Sequence, residues 1–274
     1  MRENINMNTS KLIRFETLNN TRDLGGLTSK DGRKIKYKKI LRSGTLFNIS
    51  ENDKKKLKDE YHLSKVIDLR TEAEQIQKKD TYIRGVKYIS NPILNEAHMG
   101  ITRENDQIKR DSTIDFVTRH INKDDGYEFM RDLYLNFVKD SFCLAHFSSF
   151  IKELEKEEDL ILFHCSVGKD RVGISTYFFL SILDICEEEK EADFLITNKI
   201  LEKDTLKIIE SLRKDIDSPL LEKTYKELFL VNEGYLNSIK EYISNTYISF
   251  DNFRKEVLQI SDEEVKKLKD MYLE

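Results

Sequence analysis

The sequence predicts an α/β fold, with a central, mainly parallel β-sheet flanked by helices and with helical lid insertions. Three observations support this. Short apolar segments of strand length alternate with helical segments through the first 95 residues. A further apolar segment at 160–164 leads through a short loop into an apolar helical segment. From Glu187 onward the sequence is helix-like throughout. Strands that alternate with helices form parallel sheets covered on both faces.

The first elements lie between residues 35 and 93. We predict strands at 35–41, 65–69 and 86–93, because these segments are short and apolar. Residues 50–61 have helical character after a capping serine. Thr71 and Glu74 have the spacing of a capping box and predict the start of a short helix.

The later elements complete a single domain over residues 1–274. Residues 95–125 are polar and are predicted to be irregular, and 127–157 to be mostly helical. A strand at 160–164 precedes a helix at 174–186. Ser261 and Glu264 form a second capping-box pattern before the last helix. We expect an α/β core at about 15–95 and 158–186, a helical lid at about 187–230, and C-terminal helices at 231–274.

Composition excludes several classes of protein. The 274 residues allow one large domain. Charged residues make up 35% of the chain with a net charge of −4, and both signs are interleaved, which argues against nucleic-acid binding. The three cysteines show no disulfide or metal-ligand pattern and favour a reducing cytoplasm. Residues 1–11 lack the apolar core of a signal peptide, and segment 172–186 is too short to span a bilayer. Secretion by another route stays open.

The segment 164–171 carries the chemistry. Cys165 and Arg171 are six positions apart in a loop between strand and helix. Backbone N–H groups at a helix N-terminus bind an anion, and the same field favours a thiolate. The guanidinium matches two phosphate oxygens. These parts predict nucleophilic attack on phosphorus without a metal or other cofactor. The predicted phosphate-binding loop comprises Ser166, Val167, Gly168, Lys169, Asp170 and Arg171. The alternative is a buried, inert cysteine.

Neighbouring residues have predicted supporting roles. Lys169 adds positive charge beside the phosphate and favours substrates with several phosphates, unless it points into solvent. Asp170 can protonate the leaving oxygen, or can instead pair with Lys169 or with a backbone N–H. His164 should hydrogen-bond to backbone near Cys165 and fix the loop. Asp68 follows a strand end on the same rim and is the alternative acid.

Two arginines are further candidates for phosphate binding. Arg22 lies in the segment Asn-Thr-Arg-Asp-Leu-Gly-Gly at 20–26, and Arg42 begins Arg-Ser-Gly-Thr after a strand. Arg22 could instead belong to a structural turn with an Arg–Asp pair. Arg42 could instead cap a helix.

Together, these motifs resemble those of the bacterial cysteine-dependent tyrosine and phosphoinositide phosphatases of the mycobacterial PtpB and listerial LipA type. The matching segments are 164–171, 20–26, 42–44 and 67–70, with a similar tail at 231–236 and 261–264. The resemblance implies a tyrosine phosphatase-like fold with a helical lid. It implies activity on phosphotyrosine, sometimes on phosphoserine or phosphothreonine, and on phosphoinositides. It makes Cys165 the nucleophile, Arg171 the phosphate clamp and Asp170 the candidate acid.

Val172 departs from the usual pattern of cysteine phosphatases, which have serine or threonine after the arginine. Without that hydroxyl, breakdown of the phosphoenzyme should be slow unless another hydroxyl substitutes. Three alternatives to a protein phosphatase stay open: a dedicated inositol phosphate or lipid phosphatase, a non-catalytic phosphate-binding module, and a rhodanese-like sulfurtransferase. Retention of Cys165 and Arg171 argues against the module. The spacing of this pair and segment 20–26 argue against the sulfurtransferase.

Overall fold

The computed structural model describes residues 12–95, 110–156 and 159–274, and its sheet has five strands in the order β1-β2-β5-β3-β4. The signal-peptide prediction concerns residues 1–11, outside these ranges. The strands are β1 (Arg22–Asp23), β2 (Ile40–Ser43), β3 (Leu63–Asp68), β4 (Lys87–Ser90) and β5 (Leu160–His164). Only the β1–β2 pair is antiparallel, and the others are parallel. The predicted α/β fold with a mainly parallel sheet is confirmed.

Helices flank the sheet; some lie between its strands along the chain, and the rest follow β5. They are α1 (Glu51–Lys55, continued by a π-helical turn at Lys56–Glu60), α2 (Glu72–Gln77), α3 (Arg110–Lys123), α4 (Gly126–Lys139), α5 (Ser141–Leu154), α6 (Asp170–Ile182), α7 (Glu187–Leu212), α8 (Leu221–Phe229), α9 (Glu233–Tyr247), α10 (Phe250–Glu256) and α11 (Asp262–Tyr272). Both predicted capping boxes are present. Thr71 and Glu74 begin α2, and Ser261 and Glu264 begin α11. Each box satisfies N–H groups that a helix start would otherwise leave unpaired.

The prediction that residues 95–125 are irregular is wrong for 110–123, which form α3. Val117 and Ile121 are four residues apart, so both fall on one helical face and both are buried in the core. Because most residues of this segment are polar, the spacing of these two apolar residues was not enough to predict a helix. Residues 96–109 lie outside the described part of the chain.

Other boundaries also differ from the prediction. The strand predicted at 35–41 begins only at Ile40, because Lys38 has a left-handed backbone (φ 56°) that interrupts an extended segment. The helix predicted at 127–157 is split at Asp140, whose side chain accepts from the Cys143 N–H and caps α5. The helix predicted from residue 174 already begins at Asp170.

The sheet separates two apolar cores. Alternate strand residues such as Ile67 and Phe163 face the larger core, which α4, α5 and α6 help to fill. Their neighbours Val66 and Leu162 face a smaller core. This alternation is the period of two expected of a strand. It buries β5 on both faces and therefore fixes the position of the residue that follows it, Cys165.

The carboxyl ends of three strands lie level with one another. Ser43 of β2 and Asp68 of β3 are both register partners of His164 at the end of β5. Ligands of open α/β sheets bind at such an edge. Asp68 and Cys165 therefore lie at the same edge of the sheet, as the sequence predicted.

Among the helices of the described ranges, none is long and apolar enough to cross a membrane.

Candidate active site

The loop between β5 and α6 depends on glycine at position 168. Gly168 has a φ of +74°, and a Cβ atom there would lie 2.5 Å from the Ser43 carbonyl oxygen. Any other residue would therefore meet both a disfavoured backbone conformation and a clash with the neighbouring strand. The tight loop leads directly into the first turn of α6.

Cys165 lies at the N-terminal end of α6 and is 1% exposed. The Gly168 N–H donates a hydrogen bond to its Sγ atom over 3.3 Å. A sulfur that accepts backbone N–H groups at a helix N-terminus is stabilised as a thiolate. This geometry fits a nucleophile.

Arg171 is held by a residue that the sequence analysis assigned only to a helix cap. Its Nη1 and Nη2 atoms lie 2.6 and 3.0 Å from the two carboxylate oxygens of Glu74. Ser166 Oγ donates to the same carboxylate over 2.7 Å. Burial alone would raise the pKa of Glu74, but Arg171 and these hydrogen bonds lower it to about 2. The capping box was the one visible signal for this residue, and it predicted only its role in the helix.

His164 contacts backbone beside Cys165, in the arrangement predicted for it. Its Nδ1 atom lies 3.1 Å from the Cys165 carbonyl oxygen. Its Nε2 atom lies 2.8 Å from Asp80 Oδ2 and 3.8 Å from Asp68 Oδ1. Burial lowers the pKa of the ring, but the two carboxylates outweigh burial and raise the pKa above its ordinary value. Asp80 follows α2 and belongs to no recognisable sequence motif, so its place in the site was not predicted.

Asp68 is bound by Arg70. The Arg70 Nε atom donates to both Asp68 carboxylate oxygens, at 2.9 and 3.1 Å, and its Nη2 atom donates to Asp68 over 2.6 Å and to Asp80 over 2.8 Å. Ligand-type atoms of Asp68, Asp80 and His164 lie within 4.8 Å of one another, a spacing that could hold a metal ion. The guanidinium already supplies a cation to both carboxylates.

Asp170 and Lys169 are both buried and contact each other. Asp170 Oδ1 accepts a hydrogen bond from the Tyr134 hydroxyl over 2.5 Å, and Oδ2 lies 3.4 Å from the Lys169 ammonium. Lys169 Nζ also donates to the Leu228 carbonyl of α8 over 3.3 Å. The ammonium is thus directed toward the protein, which argues against both a solvent-pointing lysine and direct contact with a distant second phosphate.

Arg22 and Arg42 converge on one carboxylate, that of Asp193 in α7. Arg22 Nε lies 3.0 Å and Arg42 Nη1 lies 2.5 Å from its two oxygens. Arg42 Nη2 also donates to the Gly168 carbonyl over 2.9 Å. Burial and the neighbouring Arg22 lower the pKa of Arg42 to about 10.

The segment 20–26 also contacts the loop through Asn20. Its side-chain amide donates to the Val167 and Gly168 carbonyl oxygens at 2.9 and 3.0 Å, and its Oδ1 atom accepts from Arg22. The carboxylate that Arg22 contacts is that of the distant Asp193 in α7. Asp193 lies among many charged residues of a long helix, and nothing in the sequence distinguishes it.

A cleft of about 440 Å³ opens beside the loop at Ser166 and Val167. Its other lining residues include Phe47, Arg70, Lys78, Ile200 and Leu201. The Lys78 ammonium lies 5.7 Å from the Phe47 ring centroid, within range of a cation–π contact. The cleft therefore combines an apolar surface with charged groups of both signs, because Asp204 lines it as well.

The mainly parallel sheet flanked by helices is consistent with a tyrosine phosphatase-like fold, and comparison with known proteins supports the same class. The family model described as "Tyrosine phosphatase family" matches residues 13–274. The chain belongs to this family and is a protein-tyrosine phosphatase. It is also 24% identical over 266 residues to a Cupriavidus necator protein named "Putative tyrosine-protein phosphatase", covering 95% of this chain and 88% of that one.

Proposed function

We propose that the protein hydrolyses phosphate monoesters, phosphotyrosine first among them, through a cysteinyl-phosphate intermediate on Cys165. The observation that carries this proposal is the sulfur of Cys165 at the N-terminus of α6, with the Gly168 N–H on it and Arg171 fixed in the same loop by Glu74. We further propose that the enzyme is of the mycobacterial PtpB and listerial LipA type, on the motifs given above.

In the first step, the Cys165 sulfur attacks phosphorus in line with the ester oxygen. The S–P bond forms as the P–O ester bond breaks. Loop N–H groups and Arg171 stabilise the charge on the equatorial oxygens. In the second step, water breaks the S–P bond and releases inorganic phosphate and the thiolate. Neither step requires a metal.

Asp170 is the proposed general acid, and Asp68 is the alternative. Asp170 begins α6 inside the loop, and its two oxygens contact a tyrosine hydroxyl and an ammonium. Both carboxylate oxygens of Asp68 are already bound by Arg70. Asp170 gives its proton to the leaving oxygen, and its carboxylate then receives one from the attacking water.

The cleft beside the loop is the proposed site for the rest of the substrate. Phe47, Ile200 and Leu201 offer an apolar surface to an aromatic leaving group. Activity on phosphoserine, phosphothreonine and phosphoinositides is a broader proposal that rests on the motif resemblance. A dedicated inositol phosphate or lipid phosphatase is the second candidate, favoured by the Lys78 ammonium on the same cleft.

We infer supporting roles for the remaining site residues. Arg22 and Arg42 hold the loop through Asp193 and the Gly168 carbonyl, and this favours positioning of the loop over direct contact with phosphate. The region predicted as a lid contains α7 and α8. Their contacts with Arg42 and Lys169 support a position beside the proposed site, and opening of this region stays a prediction.

Val172 predicts slow release of phosphate from the enzyme. It is buried in the first turn of α6 and offers no hydroxyl to the sulfur. Rapid-mixing kinetics with an aryl phosphate should show a burst of phenol close to one equivalent of enzyme. Val172→Ser should reduce that burst. A linear time course through the first turnover would contradict this prediction.

The test of the function measures phosphate release in EDTA by the wild type, by Cys165→Ser and by Cys186→Ser. Cys186 is a half-buried cysteine before α7 and provides the matched control. The substrates are a phosphotyrosine peptide, a phosphoserine peptide and a set of phosphoinositides. We expect release by the wild type and by Cys186→Ser, and none by Cys165→Ser.

The substrate pattern separates the two candidates. Release from phosphotyrosine alone identifies a dedicated tyrosine phosphatase, and faster release from phosphoinositides favours the lipid enzyme. Release that survives loss of Cys165 would refute the proposed mechanism.

A further inference from the structure

We propose that Asp80 is a positioning residue of the active site, which holds His164 as a doubly protonated imidazolium whose charge favours the thiolate of Cys165. The proposal depends on the proposed function only in taking Cys165 as the nucleophile. Asp80 matches none of the motifs that pointed to this site. Its carboxylate contacts His164, Arg70 and the backbone of Leu46, and of these three His164 is the residue next to Cys165.

The hydrogen bonds of His164 require two ring protons. The partner of Nδ1 is a backbone carbonyl oxygen, and a carbonyl can only accept. The partner of Nε2 is the Asp80 carboxylate, which also accepts when it is ionised. Both nitrogens must therefore donate, and only imidazolium has a proton on each of them.

The surroundings of the ring balance this charge. His164 is fully buried, and the charged groups with the largest influence on its pKa are Asp80, Asp68 and Arg70. Arg70 donates to both carboxylates, so the cluster holds two cations and two anions when the ring is protonated. A neutral ring would leave an uncompensated negative charge in a site with little solvent.

The cluster lies directly before the nucleophile. The Nδ1–H group donates to the Cys165 carbonyl and so fixes the peptide that begins the loop. A positive charge on the adjacent residue stabilises a thiolate in the same way as the helix N-terminus does. Asp80 thus acts on the sulfur through His164 and need not contact the substrate.

The first test reads the protonation of the ring directly. We would record two-bond ¹H–¹⁵N correlation spectra of the wild-type protein with ¹⁵N-labelled histidine at pH 7, assigned with His164→Gln. We expect the two nitrogens of His164 to resonate together, as in imidazolium. Separate shifts for a protonated and an unprotonated nitrogen would overturn the proposal. The quantity read is the protonation of the wild-type ring, and the measurement needs no catalytic turnover.

The second test measures how fast iodoacetamide alkylates Cys165 as a function of pH. Digestion and mass spectrometry separate Cys165 from Cys143 and Cys186. In Asp80→Asn an amide replaces the carboxylate, and the ring loses the anion that keeps it charged. We expect the midpoint of alkylation to rise by about one pH unit, which is about a tenfold slower reaction on the acidic side.

Controls distinguish positioning from general damage. Asp31→Asn removes an exposed carboxylate that pairs with Arg33, and it should leave the midpoint unchanged. In a His164→Gln background, Asp80→Asn should have no further effect on the midpoint, because its influence passes through the ring. An unchanged midpoint in folded Asp80→Asn, or an equal shift in the His164→Gln background, would refute the role. Both the NMR spectrum and the alkylation midpoint can be interpreted even if the protein shows no phosphatase activity.

Discussion

At the scale of residues, the site depends on carboxylates that do not act on phosphorus themselves. Glu74 orients Arg171 through two hydrogen bonds, and Asp80 orients His164 through one. Arg171 and His164 are both buried, and these contacts fix their direction. Because a buried charge without a partner is costly, each carboxylate is needed for both the geometry and the stability of the loop.

The pKa of Glu74 predicts a pH-dependent contribution to stability. It is about 2 in the folded state against 4.5 for an ordinary glutamate. A lowered pKa stabilises the fold above pH 4.5, and this contribution disappears as the pH falls toward 2. Glu74→Gln should therefore reduce the free energy of unfolding at pH 7 by about 3 kcal/mol.

Urea titrations at several pH values measure this difference. The gap between wild type and Glu74→Gln should close between pH 4.5 and 2. Glu72→Gln, an exposed glutamate in the same helical turn, is the matched control and should change stability little. A gap of constant size down to pH 2.5 would contradict the prediction.

The general acid is tested with leaving groups of different acidity. Asp170→Asn should lower kcat on a phosphotyrosine peptide by about 10²-fold or more, because the tyrosine oxygen then leaves unprotonated. The loss should be much smaller on an aryl phosphate whose phenol is strongly acidic. Equal losses on both substrates would argue against Asp170, and the predicted pattern in Asp68→Asn instead would transfer the role to Asp68.

The sequence predicted the loop but not its supports. Cys165, Arg171 and their neighbours lie within one local motif, so spacing alone places them at a strand-to-helix junction. Glu74 is 97 residues from Arg171 in the chain, and Asp80 is 84 residues from His164. Such pairs form only when separate strands end at the same edge. A single sequence does not show which of its 50 acidic residues does so.

At the scale of elements, β5, the loop and α6 form one unit whose shape depends on close approach to β2. The Gly168 backbone passes so near Ser43 that no Cβ fits. The sequence correctly predicted strand, loop and helix in this order. It placed the start of α6 four residues late, because Asp170 and Arg171 look like loop residues although they form the first helical turn.

Substitutions at two glycines with positive φ test whether the close contact between the loop and β2 matters for activity. Gly168→Ala should abolish most of kcat/KM, because the new Cβ displaces the loop from Ser43. Gly32 also has a positive φ, but a Cβ there has nothing within 4 Å. Gly32→Ala should cost only about 1 kcal/mol of backbone strain and leave kcat/KM unchanged. Comparable activity of the two variants would show that the loop tolerates the added atom.

At the scale of the whole molecule, contacts between distant segments hold the site in place. Asp193 of α7 joins Arg22 of β1 to Arg42 of β2, and Arg42 reaches the loop. The last residues of the chain also pair with an early segment, where Ile35 bridges to Leu273. The alternation of strands and helices predicted the sheet. The contacts between distant segments depend on tertiary packing, and no local sequence pattern predicts them. We infer that the chain unfolds as one cooperative unit.

Asp193 should therefore be important for stability and activity together. Asp193→Asn removes the charge that faces two buried guanidinium groups, which should destabilise the protein by about 3 kcal/mol. It should also reduce kcat, because Arg42 no longer holds the Gly168 carbonyl as firmly. Thermal unfolding and steady-state kinetics measure both effects. Glu202→Gln, an exposed change on the same helix, should alter neither, and wild-type kinetics in Asp193→Asn would disprove the coupling.

The bridge through Asp193 also limits how this protein can be divided or recombined. A fragment that ends at Cys186 would retain Arg22 and Arg42 in the interior and lack the anion that neutralises them. No autonomous minimal catalytic fragment is then available by truncation before α7. A chimaera in which the helices from α7 onward come from a relative needs an acidic residue at the position that corresponds to Asp193. Helix α7, which lines the cleft beside the loop, is thereby tied to the loop through the single carboxylate of Asp193, and this limits how far the two can diverge independently.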